Sequence, residues 1–545
     1  MQNDTQNIIG VDVGSGSVRA GVFNLRGELL AHATREITLF RSAGNKVEQS
    51  SREIWQAVCY CIKTAVASAG VSPSSIAGIG FDATCSLVVI GDNDAPLAVG
   101  PSGDAPLAVG PSGDADRNII VWMDHRATGQ AEKINATGHP VLRYVGGKIS
   151  PEMQTPKILW LKENRPHIYQ QARHFFDLAD YLTWRSTGDE ARSVCTVTCK
   201  WTYLAHEQRW DAGYFRQIGL AELADEDFVR IGQRIVDPGT PCGEGLCATA
   251  AEEMGLPIGT PVAVGMIDAH AGGIGTVGVL NGAVNNMAYV FGTSSCTMTT
   301  TQEAVFVPGV WGPYYSAMVP GYWLSEGGQS AAGAAIDQLL SFHPAAAEAR
   351  EQAKAAGVPL PVWLADRVLT QVASPSEAVT LAAGLHVVPE FLGNRAPLAD
   401  PHAKALIAGL GMERDLDNLT ALYVAGLCGI GYGLRQIIDA QRACGIESEN
   451  IVISGGAGQH PLVRQLLADA CGVSIVSTAS REPVLLGSAI LGAVAGRVAA
   501  SLPDAMKQFT QVDATYHSET AFSPLHQRRY AAYKALQQAG RLIRE

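Results

Sequence analysis

The chain is expected to fold as α/β, with two similar domains facing each other across a cleft. Three features predict this. The 545 residues include 58 glycines, many beside short β-branched runs, the composition of strands meeting tight turns. A strand–turn–strand unit at the N-terminus returns about half a chain later. A further run, Ile451-Val452-Ile453-Ser454, ends in Gly455-Gly456-Ala457-Gly458 and feeds a helix near Pro461. A unit repeated at half length predicts two related domains, and the space between them is the default ligand site.

In chain order, Ile8-Ile9-Gly10-Val11-Asp12-Val13 reads as a buried strand, Gly14-Ser15-Gly16-Ser17 as a turn, and Val18 to Phe23 as the returning strand. Helical periodicity covers Ile54 to Ala67, and Ser74 to Asp82 reads as a strand with polar residues at its end. The second unit is Met287 to Phe291, the turn Gly292-Thr293-Ser294-Ser295, and Cys296 to Thr299. Further helices are expected over Asn418 to Gln441 and Pro461 to Ala470. A turn at Gly278 to Gly282 suggests a boundary there, giving domains 1–280 and 281–545. Between them in the order, Asp94 to Gly103 recurs identically as Asp104 to Gly113. Its Pro and Gly content suits a surface loop without functional weight.

Composition narrows the class. There are 40 Lys+Arg against 52 Asp+Glu, a net charge of −12, which argues against nucleic acid as the main partner. No uninterrupted apolar run approaches a membrane span, and the polar Met1-Gln2-Asn3-Asp4 start lacks a signal-peptide plan. The 11 cysteines are odd in number and without CxxC pairs, so reduced thiols in a cytoplasmic enzyme are expected.

Several motifs carry chemistry. Gly273-Ile274-Gly275-Thr276-Val277-Gly278 satisfies GxGxxG but follows no strand, so close helix packing is the better reading, and no P-loop string exists. Asp12 is a carboxylate at the end of a buried strand, which is costly unless paired. The turn beside it, with Gly14, Ser15, Ser17 and Arg19, can cradle phosphate oxygens while Asp12 holds Mg²⁺. The plainer alternative is an Asp that bonds its own turn. Gly292, Thr293 and Ser294 supply a matching second turn. Asp268 stands between the apolar Gly265-Met266-Ile267 and the small-residue run Ala269 to Gly273. It is either a general base and second Mg²⁺ ligand or an ordinary helix cap. His125 and His270 with Asp124 and Asp268 form no tight metal-ligand spacing. Lys148 and Lys200 are candidates for contacting ligand hydroxyls, or solvated surface groups. Trp122, Trp160 and Trp201 are stacking candidates whose default is core packing.

With these motifs in place, the turns resemble the two phosphate loops of the actin-like ATPases, and Gly455-Gly456-Ala457 resembles their adenosine loop. Lys157 to Asn164 and Ala405 to Ala425 are similar to the two signatures of the FGGY carbohydrate kinases, departing at Glu152, Gln154, Leu422 and Ala425. The resemblance covers roughly residues 7–500. It implies two ribonuclease-H-like domains, ATP bound mainly by the second and sugar by the first, with Mg²⁺ as cofactor. Asp82-Ala83-Thr84-Cys85-Ser86-Leu87-Val88 is similar to the string of kinases acting on D-ribulose, and Trp122, Asp124 and His125 lie in a segment similar to one lining the sugar pocket. Gly393-Asn394-Arg395 resembles a loop near the nucleotide, making Asn394 a candidate adenosine contact. The resemblance therefore implies Asp268 as base and conversion of D-ribulose to D-ribulose 5-phosphate. L-ribulose, D-xylulose or a pentitol are the within-class alternatives, and a sugar-free ATPase on the same scaffold is the different-class one. A homodimer is a candidate assembly.

Overall fold

The computed structural model describes residues 6–100, 117–280 and 282–544; the second copy of the tandem repeat, 104–113, lies outside the described residues. The first turn unit forms as expected. β1 (Asn7–Val13) and β2 (Ser17–Asn24) pair antiparallel, bringing Asp12 opposite Arg19. β3 (Leu29–Glu36) extends the sheet on one side. On the other side β4 (Ile76–Ala83) and β5 (Met266–Ile267) add parallel to β1, for an order β5-β4-β1-β2-β3. Pro73–Ser75 form a short 3₁₀ turn, which delays β4 by two residues from the sequence reading. Every residue of β1 is buried, as in a strand covered on both faces. α1 (Ser51–Ala69) lies against β2 and β3. Ser50 caps it by accepting from the Glu53 N–H, and Gly70 at φ 65° ends it.

The second sheet contains β6 (Asn286–Phe291), β7 (Ser295–Thr301), β8 (Trp311–Tyr315), β9 (Trp323–Gln329), β10 (Asn450–Ser454), β11 (Ser474–Thr478) and β12 (Val512–Tyr516). Their order is β8-β9-β7-β6-β10-β11-β12. β6 is antiparallel to β7 and parallel to β10, and β10 is parallel to β11. That is the pattern of β1 with β2, β4 and β5. The half-chain repeat seen in two short turns is therefore a repeat of topology.

Six further helices matter for the site: α2 (Val194–Lys200), α3 (Asp268–Val277), α4 (Gly333–Ser341), α5 (Leu416–Ala443), α6 (Pro461–Cys471) and α7 (Pro483–Ala495). α3 follows β5 and packs on β6 of the other sheet, while α7 follows β11 and packs on β1 and β4. Both are apolar on all sides because both are enclosed on all sides. Glycine lets them touch. A Cβ at Gly275 would overlap the Pro483 carbonyl, and one at Gly487 would overlap the Ala271 carbonyl. This is the helix packing expected of the Gly273–Gly278 string. The connection between α3 and β6 coincides with the sequence boundary, yet α7 carries the second half of the chain onto the first sheet.

α5 is long and apolar enough to cross a membrane by length and composition, but 83% of its most apolar window is buried within the fold. It is the core helix of the second half, with Leu419 to Leu434 facing β-strands and neighbouring helices. All 11 cysteines are free thiols.

Candidate active site

Parallel strands present their C-terminal ends at one edge of a sheet, where α/β proteins place their ligands. Here that edge carries carboxylates. Asp12 of β1 stands in register with Asp82 of β4, and Asp82 with Met266 of β5, so that Asp268 follows just beyond. Asp82 is 0% exposed. Its Oδ2 accepts from Ser488 of α7, while Oδ1 has no partner. Burial, then the neighbouring Asp12, pushes its pKa well above the carboxylate range. Asp268 is half-buried and is the first residue of α3, the N-cap position belonging to Ile267. Its Oδ1 accepts from the Ala269 N–H at 2.7 Å. Burial, then Asp12, raises its pKa to about 6. A half-buried carboxylate with such a pKa is suited to accept a proton near neutrality.

Arg19 is the cation of this edge. Its Nε donates to Asp12 at 3.0 Å, and it also pairs with Glu482 at the start of α7. Asp12, Asp82 and Glu482 thus surround one guanidinium, and one oxygen of Asp82 is orphaned. More carboxylates than cations gather at this edge, the donor type a hard divalent cation such as Mg²⁺ takes; Asp12 is buried and Asp268 half-buried there.

The turns flank this edge. In the first, the Gly14 N–H donates to the Ser17 carbonyl at 3.0 Å, and the Ser15 Oγ accepts from Trp122 Nε1 at 2.9 Å. In the second, the Gly292 N–H donates to the Ser294 carbonyl at 3.0 Å, and Thr293 is exposed. The carbonyls of Gly292 and Thr293 accept from Gly333 and Ala332 at the start of α4, both at 2.9 Å, which fixes the turn. Gly455 has φ 93° and presses against the Phe291 backbone, a position that no Cβ fits. The Gly455-Gly456-Ala457 loop is thereby set beside the second turn, with Gly456 exposed.

Opposite Asp268, Lys200 of α2 and Glu326 of β9 form a buried pair at 3.6 Å. Burial opposes both charges, but the neighbours together outweigh it: with Lys200, His270 and Arg395 around it Glu326 falls to about 2, and with Glu326 foremost Lys200 rises well above its ordinary range. Lys200 Nζ also sits 4.6 Å over the Trp311 ring. Cys85 is half-buried and feels Lys200 and Asp268. Arg395 stands beside Cys296 at 3.9 Å and within the field of Glu152 and Glu326. His125 is exposed and meets Glu152 at 3.2 Å.

Some expected contacts come out differently. Asp124 offers no oxygen to a ligand. It accepts from the Val47 N–H and from Arg126 Nε, N–H and Nη2, and Arg126 in turn reaches Glu48 at 2.8 Å. It braces the segment that holds Trp122. Asn394 is likewise spent on its own loop, donating to Glu390 at 2.7 Å and accepting from the Leu398 N–H at 3.0 Å. Ala83 is fully buried between β1 and β5, and Thr84 bonds Ser86 at 3.0 Å, so of the 82–85 string only Cys85 has exposed surface of note. Lys148 is exposed; Trp160 and Trp201 are core residues.

The sequence reading missed Glu326. Its signal was weak: the strand reads Trp-Leu-Ser-Glu-Gly-Gly-Gln, so its acid does not stand out from an apolar run as Asp12 does. Arg395 and Glu152 were read only as part of a loop motif and as a departure from a signature, because they stand in loops that only folding brings together.

The sequence patterns of both domains of the FGGY family of carbohydrate kinases match this chain, the N-terminal one over residues 7–99 and 114–275 and the C-terminal one over 287–496. The chain belongs to the FGGY carbohydrate kinases. This FGGY kinase is 43% identical over 515 residues to an FGGY carbohydrate kinase domain-containing protein of Xenopus laevis, covering 92% of this chain and 91% of that one. It is 39% identical over 520 residues to a D-ribulokinase of Saccharomyces cerevisiae, covering 89% of this chain and 71% of that one. Among solved structures, a xylulose kinase from Rhodospirillum rubrum superposes with a TM-score of 0.79 at 20% identity over 99% of each chain. Its fold is the two-domain actin-like ATPase fold, and its activity is that of a sugar kinase.

Proposed function

We propose that this kinase transfers the γ-phosphoryl group of ATP to D-ribulose, giving ADP and D-ribulose 5-phosphate. The single observation that carries the reading is Asp268, a carboxylate with a pKa of about 6, facing the buried Lys200–Glu326 pair. A sugar between them would have its reacting hydroxyl beside a base and its other hydroxyls beside a fixed donor and acceptor. Asp268 takes the hydroxyl proton as the oxygen attacks phosphorus. Ser15, Ser17, Thr293 and Ser294, with the backbone N–H groups of their turns, hold the phosphates. Mg²⁺ on Asp12 and Asp268 would neutralise charge on the transferring phosphoryl group. ATP rests mainly on residues 281–545 and sugar on residues 1–280, and closure of the cleft keeps water from the phosphoryl group.

The choice of D-ribulose is supported by the Thr84-Cys85-Ser86-Leu87-Val88 string and by the likeness to the yeast D-ribulokinase. Buried polar partners discriminate epimers, because a misplaced hydroxyl leaves them unpaired at roughly 1–3 kcal/mol. A coupled assay over D-ribulose, L-ribulose, D-xylulose and pentitols tests it. D-ribulose should exceed D-xylulose by at least about tenfold in kcat/KM. Equal or better turnover of D-xylulose would overturn the assignment.

A further inference from the structure

Directly behind the Lys200–Glu326 pair lies a group of side chains for which phosphoryl transfer has no use. Cys195 and Cys199 are one turn apart on α2, and His270 is on α3; their Sγ and imidazole nitrogen atoms all lie within 4.8 Å of one another. All are 0% exposed. Cys199 Sγ stands 3.6 Å from His270 Nε2, and Glu326 Oε2 stands 3.5 Å from the same nitrogen. That oxygen makes no hydrogen bond, since Glu326 gives Oε1 to Lys200. Two thiols and one imidazole therefore converge from two separate helices in the buried interior, with a carboxylate oxygen beside the imidazole.

We propose that Cys195, Cys199 and His270 form a Zn²⁺ site behind the sugar pocket. A tetrahedral zinc with bonds of about 2.0–2.3 Å has ligand atoms about 3.3–3.8 Å apart, and the Cys199–His270 separation of 3.6 Å falls in that interval. The two sulfurs select a soft or borderline ion over Mg²⁺. On binding, the two thiols lose their protons to solvent and the imidazole binds through Nε2. The ion would tie α2 to α3 next to the Lys200–Glu326 pair, making it a positioning element for the sugar. It goes beyond the proposed reaction, which needs no zinc.

The test is metal content and spectroscopy of the purified kinase, prepared without a metal-affinity column. Elemental analysis should find about one equivalent of zinc per chain. After chelation, Co²⁺ should restore the site with the intense thiolate-to-cobalt charge-transfer band and tetrahedral d–d bands. Co²⁺ on the Asp12 carboxylates gives neither, so the two metal positions are told apart. Cys199→Ser should lose zinc and the charge-transfer band. Absence of zinc in the native kinase, together with no charge-transfer band when Co²⁺ is added to the reduced native chain, would overturn the site. That second measurement requires no variant to fold.

Discussion

Lys200 Nζ and Glu326 Oε1 lie 3.6 Å apart, the first on α2 in the first half of the chain and the second on β9 in the other half. The pair joins the two domains at the point where the substrate hydroxyls are proposed to bind. Removing one member of a buried pair strands the other charge and costs about 3–5 kcal/mol, whereas replacing both with apolar groups of similar size is often neutral. Lys200→Met and Glu326→Leu should each lower stability in denaturant melts, and the double substitution should recover most of it. Activity should not follow: the double variant is expected to keep a strongly raised sugar KM with a nearly unchanged ATP KM. Recovery of sugar affinity in the double variant would reduce the pair to a structural clasp.

Asp268→Asn keeps the shape of the side chain and its acceptor for the Ala269 N–H. It should leave sugar and ATP binding largely intact and lower kcat by ~10²–10⁴, the range for losing a general base. Steady-state kinetics with equilibrium binding separates this from misfolding. A near-normal kcat would show that the carboxylate does no proton transfer.

The pH profile should report the same group. Burial, then Asp12, raises Asp268 to about 6, so kcat/KM for sugar should fall on the acid side of about pH 6 as the base becomes protonated. Asp12→Asn removes a neighbouring negative charge and should move that limb to lower pH in whatever activity remains. Stability runs the other way. The folded protein keeps this proton where the unfolded chain, at about 4, has lost it. The contribution of Asp268 is therefore present below about pH 4 and lost as pH rises through 6. Asp268→Asn should flatten this slope in melts between those values. A limb that stays in place in Asp12→Asn would assign it to another group.

The family pattern for the N-terminal domain passes over residues 100–113, which take in all of the second copy of the tandem repeat. Deleting Asp104 to Gly113 should leave kcat/KM for sugar and ATP within about twofold, since a Pro- and Gly-rich stretch that the family pattern skips is expected to tolerate length changes at little entropic cost. A larger loss in either would show that the insertion serves the cleft or an interface.

The sequence alone determined the local elements and half of the site. Strand, turn and helix signals are short-range: β-branched runs beside glycine and the 3.6-residue period of α1 and α5. They gave both glycine-hydroxyl turns proposed to hold phosphate and the Asp268 position, because a carboxylate at the end of an apolar strand is an anomaly visible in one dimension. Only the tertiary structure decided which polar residues face the cleft. Asp124 and Asn394 resembled ligands in sequence, yet each is spent on a partner inside the protein, Arg126 and Glu390, whereas Asp82 accepts from Ser488 at one oxygen and keeps the other unpartnered. Glu326 and Arg395 enter the site from the other half of the chain. The crossing of α3 and α7 onto opposite sheets also required the fold, because an all-apolar helix says that it is buried but not against what. Local propensity acts over a few residues, whereas satisfying a buried charge takes whichever partner the packed chain brings within about 3–4 Å.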